Sequence, residues 1–349
     1  MCPASPEAAA RGFRDSAAAV WQTRRVGWLT FSELDAAAAR FDAQVARTPS
    51  VDLFCTSSAW VMPAQQAFAA DAEPLIFEDD DCIVALMVVR TASGVRVAVP
   101  LEAGWGLASP MVGPRPDRAA ERLHAMVHGD SLSLGGVFLS GLERGGHTWR
   151  AVIERFARTT RIGIGPRCPR RCADLQGGVD GFLSRRSAGF RANLRRAWRL
   201  AAGRGVRFER HQGGEPSALF ARIRAIEVES WKGRAGEGID EGPPRDFYLR
   251  MLHRLVVQGD LRVIFATHDG VDLAFVFGAV FAGTYRGLQV SFDRRQGQLA
   301  PGNLVQYAMI QWLCEDGVES YDLGTDMPYK ERWAEPGLET HTLALLPMG

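Results

Sequence analysis

Tyr285 to Leu304 reads YRGLQVSFDRRQGQLAPGNL. Its first part has the composition of a strand and ends at Asp293. A basic loop with one glycine follows, and Pro301-Gly302-Asn303 then opens a helix. A helix N-terminus exposes unpaired N–H groups and the positive end of the macrodipole. A strand–loop–helix junction of this kind therefore suits a pyrophosphate or a phosphopantetheine phosphate. Gly297 and Gly302 would let the backbone approach such a group, Arg294 and Arg295 would add mobile positive charge, and Ala300 and Asn303 flank the helix start. The same letters also fit a plain Pro/Gly loop that caps a helix.

Outward from this junction the pattern stays mixed. Leu261–His268, Asp272–Phe281 and Thr284–Asp293 are strand-length apolar runs separated by turn residues. After the loop come a helix over Gly302–Glu315, a strand over Ser320–Gly324 and a last strand near Thr340–Leu346. Ahead of these runs lie a long helix from Val179 to Gly203, a strand at Val206–His211, and helices over Glu215–Trp231 and Arg245–Gln258. Helices, then strands, then a helix and a strand make an α+β domain. The regular alternation of a doubly wound parallel sheet is absent.

The first half reads as a looser copy of the same order. Helices are expected over Thr30–Arg47 and Ser58–Ala70, a three-strand meander over 74–101, a helix over 117–129, a strand within 131–142 and a helix over 147–157. Residues 159–180 are rich in Gly, Pro and Arg, with a short strand only at Cys172–Leu175. This stretch sets an expected division into units 1–170 and 171–349. Residues 1–30 read as irregular.

Composition narrows the function classes. The 349 residues carry 41 basic and 40 acidic side chains, a formal charge of +1, which argues against a nucleic-acid coat over the whole surface. Of the six cysteines, only Cys168 and Cys172 are close, and no second Cys or His pair completes a zinc set. No metal site is expected. The first residues lack the apolar core of a signal peptide, and no run approaches the ~18–20 apolar residues of a membrane span. A cytoplasmic protein is expected. Nucleophile-elbow, Walker, HExxH and dinucleotide motifs are all missing.

Three further segments carry polar groups with chemical potential. EVESWKGRAGEG (227–238) ends a helix with Trp231, which could wall a pocket, and Lys232, which could meet a phosphate or carboxylate. YDLGTDMPYKERWA (321–334) sets Asp322, Asp326, Tyr329 and Lys330 just beyond a strand end, where clefts commonly form. Between residues 185 and 210 stand nine arginines, with Arg191, Arg195 and Arg199 in one stripe and Phe190, Leu194, Trp198 and Ala201 on the opposing apolar face. Such a stripe could steer a tRNA, a CoA nucleotide or an acidic peptide, or be a solvated face.

Taken in order, the segments 182–205, 230–238, SFD at 291–293, LAPGNL at 299–304 and 321–334 resemble the CelD-like acetyltransferases of the GNAT superfamily, relatives of the FemAB aminoacyltransferases. The resemblance covers about residues 172–346. It implies an α+β fold of tandem GNAT-like domains, each a mostly antiparallel mixed sheet flanked by helices, with a degenerate first domain. It also implies that two neighbouring strands, here Thr284–Asp293 and Ser320–Gly324, splay around a pantetheine arm. One departure stands out. The family's phosphate loop runs directly into its helix, whereas here Pro301-Gly302 follows Arg294-Arg295-Gln296-Gly297-Gln298-Leu299-Ala300.

The resemblance implies N-acyl transfer from an acyl-CoA or acyl-carrier-protein thioester to an amine on a small molecule, sugar or peptide. Such a transfer needs a base for the amine proton. Asp293 is the first candidate and Asp322 the second, ahead of Glu227 and Asp326. Tyr329 would protonate the thiolate, while Lys330, Trp231, Lys232 and Gln289 would position donor or acceptor. Two other possibilities stand beside it. A tRNA-dependent FemAB-type enzyme would need the arginine stripe to line a groove. A non-catalytic binding protein would have its cleft filled by Phe292 or Leu288. A long acyl chain could lie against Phe275, Phe277, Phe281 and Phe292.

Overall fold

The apolar runs become strands of one continuous sheet. The computed structural model describes residues 27–102, 104–129, 133–236 and 238–348. Its strands are β1 (Gly27–Leu29), β2 (Glu73–Asp79), β3 (Cys82–Arg90), β4 (Arg96–Pro100), β5 (Met111–Val112), β6 (Gly136–Glu143), β7 (Thr160–Asp174), β8 (Arg207–His211), β9 (Leu261–His268), β10 (Val271–Phe281), β11 (Thr284–Phe292), β12 (Ser320–Thr325) and β13 (Glu335–Pro347). They pair in the order β1-β2-β3-β4-β6-β13-β7-β12-β11-β10-β9-β8, with β5 against β3. The pairs β4–β6 and β11–β12 are parallel, and the meanders on either side of them are antiparallel.

The two halves repeat one order. In the first, the meander β2-β3-β4 is followed by the helix Pro116–His128 and by β6, parallel to β4. In the second, β9-β10-β11 is followed by the helix Pro301–Glu315 and by β12, parallel to β11. Helices cover both sheet faces. One core joins the halves directly, as Trp60 of the helix Ser58–Phe68 meets Phe247 of the helix Gly242–Gln258 with ring centroids 5.2 Å apart.

What differs is the space between the parallel strands. In the first half β4 and β6 pair only through Val97–Ala98 and Gly136–Val137. Beyond that point the chain's own loop lies against β6, where Ser140 Oγ donates to Ala108 O at 2.7 Å. The buried Glu102 carboxylate accepts from the backbone N–H groups of Trp105, Leu107 and Ala108 and from Trp60 Nε1. A carboxylate thus takes up amides that a bound anion would otherwise use.

Three expectations need correction. Residues 159–180 do not form an irregular connection with one short strand, since β7 runs unbroken from Thr160 to Asp174 in the middle of the sheet. Its periodicity is hidden because only Thr160, Arg170 and Ala173 are buried along it. Backbone pairing to β13 and β12 holds it, rather than an apolar face. The long helix from Val179 breaks into Gly178–Ser184 and Ala188–Gly203, because Ser187 turns its hydroxyl to accept from Phe190 N and restarts the helix. Residues 27–29, read as irregular, form β1 beside β2. The rest of that stretch, residues 1–26, lies outside the described residues.

The halves also meet through buried charge. Arg170 on β7 is 2% exposed and ion-pairs with Asp52, which caps the helix Leu53–Thr56 of the first half, and with Asp322 on β12 at 3.2 Å. Asp322 pairs in turn with Arg286 of β11 at 2.5 Å and accepts from Gly324 N at 2.7 Å. Burial alone would push the Asp322 carboxyl up, but Arg286 and Arg170 outweigh it and hold it below the usual carboxylate range. Removing one member of a buried pair costs about 3–5 kcal/mol. Arg170→Met should lower unfolding stability by that order in urea titrations, because Asp52 loses its guanidinium partner. A depressed carboxyl contributes its stability above the unfolded value and loses it as pH falls through the folded one. Stability should therefore decline below about pH 4, and Asp322→Asn should flatten that acid limb.

Candidate active site

Strands β11 and β12 start as partners and then part. Their register holds for Thr284–Ser320, Tyr285–Tyr321 and Arg286–Asp322 and goes no further. The next residue, Gly287, leaves room for the Tyr321 ring, which a Cβ there would approach to 2.7 Å. On the other side of β11, Phe277 faces Gln289 and Gly278 faces Gly287, so Leu288 is an extra residue in the ladder. A bulge of this kind bends its strand. The edge of β11 that faces β12 therefore has no strand partner beyond Arg286. The opening is a cleft of about 670 Å³. Gly287 to Val290 and Phe292 form one wall, Tyr321 and Leu323 the other, and Asn303 and Gln306 of the helix Pro301–Glu315 close one side. Leu288 and Phe292 line this cleft without filling it. Phe275 and Phe277 lie fully buried in the core.

The loop that leads into the helix Pro301–Glu315 is built differently from its sequence reading. Asp293 caps a short 3₁₀ turn, Arg294–Leu299, accepting from Arg295 N and Arg295 Nε at 2.9 Å. That contact holds its carboxyl below the ordinary range. Asp293 and Arg295 are thus committed to each other, while Arg294 is exposed. Ala300 takes a left-handed conformation (φ +50°) at the helix start. Pro301 has no N–H. The N–H groups of Asn303 and Leu304 turn back to Ala300 O at 3.0 and 3.3 Å. Fewer amides are free than at an ordinary helix start. Gly302 serves packing, since a Cβ there would sit 2.8 Å from the Phe292 ring, whereas Gly297 on the cleft wall has open space around it.

The inner end holds buried polar groups. Lys232 lines the cleft, and its Nζ donates to Gln289 Oε1 at 2.7 Å and to Val290 O at 3.3 Å. Gln289 Nε2 donates to Tyr248 Oη at 2.7 Å, and burial pushes that phenol up to about 12. Burial also pulls the Lys232 ammonium down, against the opposing charge of Glu227. Glu227 is fully buried, and neither of its carboxylate oxygens has a hydrogen-bond partner among the described residues. Lys330 is 8% exposed, and its Nζ donates to Thr325 O at 2.7 Å. Burial first, then the Arg286 charge, pull it down to about 8. Tyr329 lines the cleft, and Lys330 Nζ lies 5.8 Å from its ring centre.

The structure therefore gathers Lys232, Gln289, Phe292, Gly297, Ala300, Gly302, Asn303, Tyr329 and Lys330 around one cleft. Asp322 sits behind it in the charge network. Asp326 faces away, paired with Arg171 at 2.7 Å. Trp231 opens the short helix Trp231–Arg234, and its side chain lies outside the described part. Sequence reasoning passed over Gln306 and Tyr248. Gln306 falls three residues after Asn303 on one helix face, a legible signal. Nothing local marks Tyr248. Among the described residues no group of His, Cys, Asp or Glu could hold a metal ion. The cleft suits a pantetheine arm. Its walls are mainly apolar, and Gln306 Nε2 is a buried donor with no partner among the described residues.

Known proteins share this fold. Residues 188–331 match the family model described as an acetyltransferase (GNAT) domain. FemX is similar in structure, with 12% identity and a TM-score of 0.61, covering 91% of this chain and 96% of that one. So is the C-terminal domain of a putative lysylphosphatidylglycerol synthetase from Agrobacterium fabrum, with 15% identity and a TM-score of 0.54 over 90% of this chain and 92% of that one. L-PGS from Bacillus licheniformis, at 15% identity and a TM-score of 0.52, covers 80% and 86%. No curated protein matches the sequence significantly. Among the described residues no helix is long and apolar enough to cross a membrane. Residues 188–331 thus match the model of an acetyltransferase (GNAT) domain, and the chain as a whole is folded like FemX.

Proposed function

We propose that the chain is an N-acyltransferase in which residues 171–349 do the chemistry and the first half, its own opening plugged, acts as a scaffold. An amine attacks a thioester carbonyl held between β11 and β12. A C–N bond forms, the C–S bond breaks, and the thiolate leaves. The open cleft beyond Arg286 carries this reading, because it joins an unpaired strand edge to buried groups that can handle protons. The N–H groups of that edge, around the Leu288 bulge, lie where a developing oxyanion can be stabilised. Gln306 supplies an amide donor for the pantetheine arm.

The base must hold a lone pair that no neighbouring group has claimed. Asp293 is tied to Arg295, and Asp322 is held between two arginines, so both are weakly basic. Glu227 is the uncommitted carboxylate of the three. It lies behind Lys232, outside the residues that line the cleft, and takes the amine proton through a water, while Lys232 and Gln289 orient the acceptor. Lys330, near 8, matches the ordinary thiol range of about 8.5 and returns a proton to the leaving thiolate, with Tyr329 beside it. The acceptor is an amine on a small molecule, sugar or peptide.

Native mass spectrometry with acetyl-CoA, a long-chain acyl-CoA and aminoacyl-tRNA should register the acyl thioesters, and an amine panel scored by thiol release should then reveal the acceptor. Binding of aminoacyl-tRNA alone would replace this donor class. With an acceptor in hand, Glu227→Gln should lower kcat about 10²-fold or more while Asp293→Asn stays within a few-fold. The reverse pattern would remove Glu227 from the role. The rate should also fall as pH rises past about 8, where Lys330 loses its proton, and Lys330→Gln should abolish that limb.

A further inference from the structure

From Gly181 to Phe208 the chain has eight arginines and no acidic residue, although the whole protein carries a net charge of only +1. Two of the eight are used inside the fold, Arg185 with Asp174 and Arg186 with Glu335. Arg191 donates to the carbonyls of Leu183 and Arg186. Arg195, Arg196, Arg199, Arg204 and Arg207 are exposed and have no ion pair among the described residues. Helical spacing puts Arg191, Arg195 and Arg199 along one groove of about 390 Å³ with Trp198 and Tyr307. Arg196 faces a second groove, of about 690 Å³, that shares Ala300, Asn303, Arg332 and Trp333 with the donor cleft. The helix Ala188–Gly203 therefore leads a row of unbalanced positive charge to the cleft mouth.

This cationic face stands beside a poor nucleotide cradle. Pro301 lacks an N–H, the Ala300 and Asn303 amides are taken up by Gly297 O and Ala300 O, and Arg295 is bound to Asp293. A donor anchored by its own pyrophosphate would find few partners here. A donor anchored by a surface outside the cleft would find many. Resting on the acyl-transfer reading above, we propose that the helix Ala188–Gly203 docks a small acidic carrier protein whose phosphopantetheine thioester enters between β11 and β12. The single phosphate of that arm would meet Arg196 and Arg332 at the mouth, while acidic side chains of the carrier face Arg195 and Arg199. Leu200, 42% exposed among these arginines, and the half-buried Trp198 give the face an apolar component. That mixture suits a protein helix better than a phosphate backbone.

The test uses the full chain, a fluorescently labelled holo-acyl carrier protein, and S-octanoyl-pantetheine as a donor lacking both nucleotide and carrier. Anisotropy should report carrier binding that weakens with salt. The double variant Arg195→Glu/Arg199→Glu should bind the carrier at least ten-fold more weakly while binding octanoyl-pantetheine as the wild type does. Arg195→Gln/Arg199→Gln, which removes charge without reversing it, should fall between the two if thermal melts show both variants folded. Equal carrier binding by wild type and the Glu variant would overturn the docking assignment. So would a tRNA that displaces the carrier and is itself lost in that variant. If octanoyl-pantetheine binds and the carrier does not, the docking fails alone. If neither octanoyl-pantetheine nor octanoyl-CoA binds, the acyl-transfer reading fails with it.

Discussion

Asp322 lies between Arg170 and Arg286, and much of the molecule turns on that contact. It marks the last register pair of β11 and β12, so the strands are locked together up to this point and free to part beyond it. Through Arg170 and Asp52 the same carboxylate reaches the first half. Buried ion pairs seldom add much net stability over apolar packing, but they are costly to break on one side. Here the network sets where the sheet stops being continuous. The cleft opens directly past it, with Lys330 near enough to feel Arg286.

The two halves show how one order of elements can have two outcomes. Each has a meander, a helix and a parallel strand that leaves its partner early. In the first half the loop after β4 turns inward, and Glu102 gathers its amides. In the second half the loop after β11 turns outward as a 3₁₀ turn capped by Asp293, and the space stays open. Glu102 closes one opening from within, and Asp293 holds the rim of the other.

Much of this was legible in the sequence where burial follows a period. Strands β9, β10 and β11 and the helix Pro301–Glu315 were readable to within a residue or two, because β9 and β10 are apolar runs buried on both faces and the helix buries a broad apolar side. The cleft residues were legible as segments, since SWKG, the loop before Gly302 and YDLG–YK sit at strand or helix ends. What could not be read was which polar group would be spoken for. Asp293 and Glu227 look alike on paper, yet one is bound by a neighbouring arginine and the other by nothing described. The purpose of Gly302 was hidden for a similar reason, as the Phe292 ring that excludes a Cβ arrives from another strand. β7 escaped notice because its neighbours bind its backbone and leave its side chains half-exposed.

β13 comes last among the strands, yet it lies between β6 and β7. On the ribosome, β6 and β7 emerge well before it, with facing edges that have nothing to pair with. Such edges invite wrong partners while they wait. The centre of the sheet is thus the last part to be made, and the first half cannot complete its fold on its own as it leaves the tunnel. Folding of this chain is gated by the arrival of its final strand, which makes the molecule one cooperative body despite its two repeated units.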